Sequence, residues 1–252
     1  MIRIFRNLRS KLIGGSGLRK YLLYAIGEIV LVMIGILLAL RVNNNNIARV
    51  EHERETKYLQ NIRLDLDKDV ENLTFLIDFR ADRIQSLDRL ITYCDGIQPQ
   101  DPDSLALDVI MSLYEYWFNP SNVTVKDLLG SGNMNLIRNA SIKEKLFDLE
   151  LLYQSNTSNL EHETYEYQQY LSKPVFTHAD VDKMDQIFLK EHTAGELGLT
   201  VANFEGLLHD PVYRNGCAIA SLTSLEYSDL FRQILQVSEE TIDLLDQELK
   251  EN

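Results

Sequence analysis

Two hydrophobic patterns divide the chain. Tyr21 to Leu40, YLLYAIGEIVLVMIGILLAL, is apolar on every face except for Glu28. At ~1.5 Å per residue, a helix of that length covers the roughly 30 Å of a bilayer's hydrocarbon core, so the stretch predicts a membrane span. Beyond it, from Ile47, apolar residues recur at three- and four-residue steps: Leu59, Ile62, Leu66, Val70, Leu73, Ile77, Ile84, Leu87, Ile91 and Cys94, with Arg80 breaking the series. That seam predicts a single helix of nearly fifty residues, flanked by Asp65, Asp67, Lys68, Arg80 and Arg83.

The five prolines, Pro99, Pro102, Pro120, Pro174 and Pro211, fall between periodic segments and mark where helices stop. Between them the pattern predicts a helix over 104–118 whose core face includes Leu105, Val109, Leu113, Tyr116 and Trp117, and a short one over 124–130 ended by Gly130-Ser131-Gly132. A longer helix comes next, capped by Ser141 with Glu144, its seam running Leu146, Leu149, Tyr153, Leu160, Tyr167, Leu171 and ending before Pro174. Shorter candidates cover 180–190 and 201–208. A last helix runs over 218–249 with Leu222, Phe231, Ile234, Ile242, Leu245 and Leu249 inward. No alternating stretch is long enough for a sheet. The expected fold is all-α: one N-terminal transmembrane helix followed by an elongated antiparallel helical bundle with short connecting helices. The expected divisions are a basic cytoplasmic flank at 1–20, a transmembrane helix at 21–41 and a periplasmic helical domain at 42–252.

Charge orients this arrangement. The chain carries 25 basic and 38 acidic residues, a net charge of −13. Arg3, Arg6, Arg9, Lys11, Arg19 and Lys20 all precede the span, with no acidic residue among them. Basic flanks stay in the cytoplasm, so the acidic bulk is expected outside. A signal-anchor is favoured over a cleaved signal peptide, because Leu38-Ala39-Leu40 is a poor cleavage site and the apolar run is long. The same six basic side chains are expected to contact lipid headgroups, either on a short amphipathic helix or on an irregular flank.

Glu28 lies about a third of the way across the span. Tyr24, Glu28, Leu31, Gly35 and Ala39 share one helical face, and Gly35-x-x-x-Ala39 has the small-xxx-small spacing that lets helices approach closely. Three readings stand: an association face with Glu28 protonated or paired, a carboxylate close enough to the inner interface to reach water, and an ion pathway.

Catalytic signals are absent from the pattern. Gly14-Gly15-Ser16-Gly17 lacks the preceding strand and the Lys-Ser/Thr of a phosphate loop, and Ser131 lacks the frame of a nucleophile elbow. Glu161-His162-Glu163 with Glu166 has no second histidine and reads as a solvated helix face. The acidic balance argues against nucleic acid. No cofactor, metal or enzymatic activity is expected. Cys94 and Cys217 end and begin long helices; antiparallel packing would bring them to one end, as a disulfide or as two buried thiols.

Lys20 to Asn44, KYLLYAIGEIVLVMIGILLALRVNN, and Val125 to Tyr153, VKDLLGSGNMNLIRNASIKEKLFDLELLY, resemble a family of uncharacterised single-pass membrane proteins from Bacteroidota-type bacteria that carry a domain of unknown function. That family commonly has a tryptophan where this chain has Asn45. The resemblance implies a membrane location and no known activity. The expected role is a non-enzymatic scaffold or interaction module, anchored in the bacterial inner membrane with its N-terminus cytoplasmic and its C-terminal domain periplasmic. Its expected partners are membrane lipid and either a protein or a second copy of itself, engaged through the span and the outer bundle. The alternative is a sensor of a small molecule or envelope signal, coupled to the span.

Overall fold

A computed structural model of the chain describes residues 18–251. Its elements are α1 (Leu18–Cys94), α2 (Pro102–Leu113), α3 (Val123–Gly130), α4 (Ala140–Glu166), α5 (Lys173–His178), α6 (Val181–Phe188), α7 (Glu205–Leu208) and α8 (Pro211–Glu251). Single turns of 3-10 helix occupy Asn133–Leu136 and Val201–Phe204, and a π turn occupies Tyr167–Ser172. No strand occurs among the described residues, so the fold is all-α as expected.

The chain divides into two compact units, one up to Glu55 and one from Thr56 onward. In the first, α1 contains a stretch long and apolar enough to cross a membrane. Its large side chains are exposed, Leu31 at 73%. Tyr24, Glu28, Leu31, Gly35 and Ala39 are all exposed, and a side chain added at Gly35 would meet nothing within 4 Å. Arg3, Arg6, Arg9 and Lys11, the glycine-rich joint, and the side chains of Arg19 and Lys20 lie outside the described residues.

In the second unit, three long helical segments bury heptad seams against one another. On α1 the buried stripe is Leu59, Ile62, Leu66, Asp69, Leu73, Leu76, Arg80, Arg83, Leu87 and Leu90, with Ser86 buried beside it. On α8 the central stripe is Tyr213, Cys217, Ala220, Ser224, Tyr227, Phe231, Ile234, Ser238, Thr241 and Leu245, with Gly216, Ser221 and Ser228 buried beside it. Both alternate steps of three and four, the repeat that keeps one stripe facing a partner. Leu222, expected inward, is 63% exposed. The bonds Arg63–Asp246, Ser221–Asp88 and Arg214–Asp95 advance in opposite directions along α1 and α8, which are therefore antiparallel. Lys145–Glu240 and Thr223–Glu166 show the same for α4 and α8. Tyr153–Asp69 and Arg80–Glu163 advance together, so α1 and α4 run parallel.

Several boundaries differ from the pattern. The last helix begins at Pro211, seven residues before the expected start, with Asp210 accepting from the Val212 N–H at 2.8 Å. The cap of α4 is Asn139, whose Oδ1 accepts from Ser141 and Ile142 at 3.0 and 3.3 Å, not Ser141. The helical path also continues through Pro174 to His178. Proline there cannot donate to the Tyr170 carbonyl and its ring crowds it, and the π turn just upstream accommodates both. The π turn adds one residue per turn, so the seam after Glu163 resumes on Leu171 and Val175. The Tyr170 carbonyl lies against Gly216 of α8, where an added Cβ would sit 2.5 Å from it. Gly216, Ala220, Ser224 and Ser228, at four-residue spacing, give α8 a stripe of small residues for that close approach.

Candidate functional site

The helix predicted over 104–118 stops at Leu113, and Tyr114 turns extended at φ −75°, ψ 129°. Asp101 and Pro102 start α2 as a cap and first-turn proline, with the Ser104 N–H donating to Asp101 Oδ1 at 2.8 Å. From Tyr114 to Asn122 the chain forms a strap that returns along α1. Its Ser121 N–H donates to Asp69 Oδ1 at 2.7 Å, and beyond it the Thr124 hydroxyl donates to Asp65 Oδ2 at 2.6 Å. An extended chain alternates its side chains. Here the alternation separates two chemistries: Tyr116 lies at the surface stacked on a half-buried Tyr114, while the Glu115 side chain turns toward buried arginines.

Arg80 and Arg83 occupy consecutive seam positions of α1 and are 0% and 1% exposed. Their counter-charge comes from α4. Both Arg80 terminal nitrogens donate to the two carboxylate oxygens of Glu163, Nη2 to Oε2 at 3.0 Å, in the two-pronged geometry that a guanidinium favours. Arg83 Nη1 donates to Glu163 Oε1 and Ser224 Oγ, both at 3.3 Å, and Nη2 to the Ser112 carbonyl at 3.3 Å. The Arg80 guanidinium carbon lies 4.7 Å from the Tyr227 ring centre, close enough for cation–π attraction. Ser224 is what makes room for both guanidiniums; a larger residue at that seam position would occupy their space. Arg80 had marked itself in the pattern as the seam's one exception. Glu163, expected on a solvated face, is instead 3% exposed, whereas its neighbour His162 is outside and pairs with Glu166 at 3.2 Å.

Glu115 completes the cluster from the strap. Burial, and then the Glu163 charge, push its carboxyl up to about 7 from an ordinary 4.5, against the pull of Arg83 and Arg80. One of its oxygens is buried without a hydrogen-bond partner, as are the Nε atoms of Arg80 and Arg83. A cavity of about 10 Å³ beside Arg83, Glu115 and Glu163 has room for about one water. The cluster sits between two apolar cores. One holds Leu87, Leu105, Val109, Phe204 and Cys217, the other Leu59, Leu73, Phe118, Leu146 and Phe231.

Above the cluster, the outward side chains form an aromatic array. Phe79 meets Tyr116 edge to face at 4.7 Å, and Phe75 meets Tyr116 at 5.4 Å. Tyr116 stacks near-parallel with Tyr114 at 6.3 Å, and Tyr114 packs against Phe188 of α6 at 4.7 Å. The Tyr114 hydroxyl donates to Asp185 at 3.1 Å. Phe75, Tyr116 and Trp117 remain 53%, 41% and 45% exposed, so Tyr116 and Trp117 are surface residues and not the core predicted for them. Sequence reasoning missed the array because its members come from three elements. The local signal was the run Tyr114-Glu115-Tyr116-Trp117-Phe118, whose aromatic content favours an extended conformation over a helix.

The two cysteines do not form a bond. Cys94 and Cys217 are free thiols, and both belong to the same apolar core, Cys217 buried and Cys94 at its edge. Burial pushes Cys94 up to about 11 and Cys217 further, the latter also through Cys94 nearby. A groove of about 600 Å³ lies between Asn119, Pro120 and Lys126 on one side and Glu150, Gln154 and Thr157 on the other. The Gln154 amide and the Thr157 hydroxyl already donate within α4. Among the described residues no group of three or more His, Cys, Asp or Glu side chains could hold a metal ion. No protein-family model, curated protein or solved structure matches the chain.

Proposed function

We propose that the protein is a membrane-anchored interaction module. Tyr21–Leu40 serves as an inner-membrane anchor with the basic flank in the cytoplasm, and the helical unit from Thr56 onward docks a protein partner in the periplasm. The observation that carries this is the aromatic array: Phe75 of α1 and Tyr116 of the strap are left at the surface, with Phe79, Tyr114 and Phe188 half-buried beside them. Monomeric proteins seldom expose contiguous aromatic surface without using it, and aromatic side chains are enriched where partners bind. The likeness of Lys20–Asn44 to single-pass membrane proteins supports the anchor, as does the six-to-none excess of basic residues before it.

A sensor would need an enclosed, mainly apolar pocket with converging polar groups. The groove beside Lys126 and Glu150 is open and lined mostly by polar side chains, which favours docking over capture of a small molecule.

The test is site-specific photocrosslinking of the full chain in native membranes, with p-benzoylphenylalanine replacing Phe75. A discrete adduct is expected from that position and not from the same label at Leu151, an exposed residue outside the array. No adduct, or the same adducts from both positions, would overturn the docking role. Protease added to intact spheroplasts should cut the unit beyond Thr56; protection until lysis would overturn the periplasmic placement.

A further inference from the structure

The array has a chemical preference of its own. We infer that it takes an extended, arginine-bearing segment of a partner protein, an inference that rests on the docking role proposed above. Ring faces carry negative potential and attract cations, and this attraction grows when carboxylates stand beside the rings. On α1, Glu71, Asp78 and Asp82 lie one turn from Phe75 or Phe79 on the same exposed side, and none forms an ion pair among the described residues. Asp185 stands at the other end, bonded to the Tyr114 hydroxyl. The basic residues nearby are already engaged: Arg80 and Arg83 are buried on Glu163, Arg89 pairs with Asp108, Lys68 with Asp65 at 3.6 Å and Lys183 with Asp180 at 3.9 Å. From Thr56 onward the chain has 34 acidic and 16 basic residues, so the unit as a whole draws a cationic partner toward it.

Arginine fits better than lysine. Its flat, weakly hydrated guanidinium stacks on rings while its edge donates to carboxylates, which a compact ammonium does less well. The molecule uses this same recognition one layer down, where Arg80 lies over Tyr227 and grips Glu163 with both terminal nitrogens. Steps of 5.4, 6.3 and 4.7 Å from Phe75 through Tyr116 and Tyr114 to Phe188 match at most about five residues of extended chain at ~3.3 Å each. An occupant with arginine at alternate positions would place successive guanidiniums over one side of the array.

Trp117 is the chain's only tryptophan, half exposed and adjacent in sequence to Tyr116, so its emission reports on the strap. The experiment is a tryptophan-fluorescence titration of the full chain in detergent with blocked nine-residue peptides of alternating Arg-Ser, Lys-Ser, Glu-Ser and Gln-Ser. Saturable binding is expected with Arg-Ser, several-fold weaker with Lys-Ser, and none with Glu-Ser or Gln-Ser. Binding should fall at least tenfold in a Phe75→Leu, Tyr116→Leu double variant, which keeps every charge. It should also fall in Asp78→Asn, Asp82→Asn, and be unchanged in Asp229→Asn, Glu239→Gln, which removes two carboxylates outside the array. Equal binding by the leucine variant would reduce the effect to general charge attraction and overturn the inference. Equal binding of Gln-Ser and Arg-Ser would overturn the arginine preference while leaving the docking role in place. Loss of the Phe75 crosslink would remove the docking role itself.

Discussion

Phe79 and Tyr116 meet edge to face, 4.7 Å between ring centres at 87°. Each is followed or preceded in sequence by a charged residue facing the other way: Arg80 after Phe79, Glu115 before Tyr116. The ring contact thus lies outside, while the Glu115 carboxyl lies inside within the influence of the Arg83 and Arg80 charges.

The interior side predicts an asymmetric cost. Glu163→Ala removes the carboxylate that both buried guanidiniums bond, leaving only Glu115 nearby, and removing one partner of a buried pair costs about 3–5 kcal/mol. For a unit of this size that is a fall in Tm on the order of 10 °C. Arg232→Ala, which breaks an exposed pair with Asp229, should change stability by less than about 0.5 kcal/mol. Thermal unfolding followed by circular dichroism compares the two.

Glu115 predicts a pH dependence of definite sign. Its carboxyl is raised to about 7 in the fold and returns to about 4.5 on unfolding, so the folded protein holds the proton more tightly. The stabilisation is complete below pH 4.5, declines as pH rises to 7 and is gone above it. The loss is on the order of 2 kcal/mol once partial exposure is allowed for. Urea unfolding at pH 5 and pH 8 measures it, and Glu115→Gln should remove this part of the difference.

Gly216 predicts a reversal of helix propensity. Alanine in place of glycine within a helix ordinarily stabilises by up to ~1 kcal/mol. At Gly216 the new methyl would meet the Tyr170 carbonyl at 2.5 Å, so Gly216→Ala should destabilise by about 1–3 kcal/mol. Denaturant midpoints of the two proteins decide the sign.

The buried thiols predict slow chemistry. With Cys94 pushed up to about 11 and Cys217 further, little thiolate exists near neutral pH. Iodoacetamide should label the folded protein at least about a hundredfold more slowly than the urea-unfolded chain, with Cys94 reacting before Cys217. Mass spectrometry of timed samples gives both rates.

The positions of the helices were legible because apolar residues repeat at three and four and prolines separate the segments. Their rotation was less so. Along α1, Val70, Ile77, Ile84 and Ile91 look like the seam, yet Asp69, Leu76, Arg83 and Leu90 are the buried residues. At 69 and 83 a charged side chain holds the core position, so a rule that puts charge outside chooses the apolar neighbour; at 76 and 90 leucine stands beside isoleucine and the pattern cannot choose between them. On α8 the same thing happens with small residues: Ser224, Ser238 and Thr241 are fully buried, while the larger Leu222 is out. The ion cluster was invisible for a related reason. Arg80 showed as an interruption, but its partner is 83 residues away, and nothing local to Glu163 distinguishes it from the solvated His162. The π turn leaves no apolar signature, though Pro174 inside a continuing seam was its trace.

The strap lies on α1 with Tyr116 against Phe79, and the array depends on that contact. A double-mutant cycle of Phe79→Ala and Tyr116→Ala, measured by urea unfolding of the full chain in detergent, tests it most directly. Edge-to-face pairs of this kind contribute about 0.5–1.5 kcal/mol beyond the area they bury, and a coupling in that range is predicted. Strictly additive single effects would mean the two rings do not touch, and the array would have no floor.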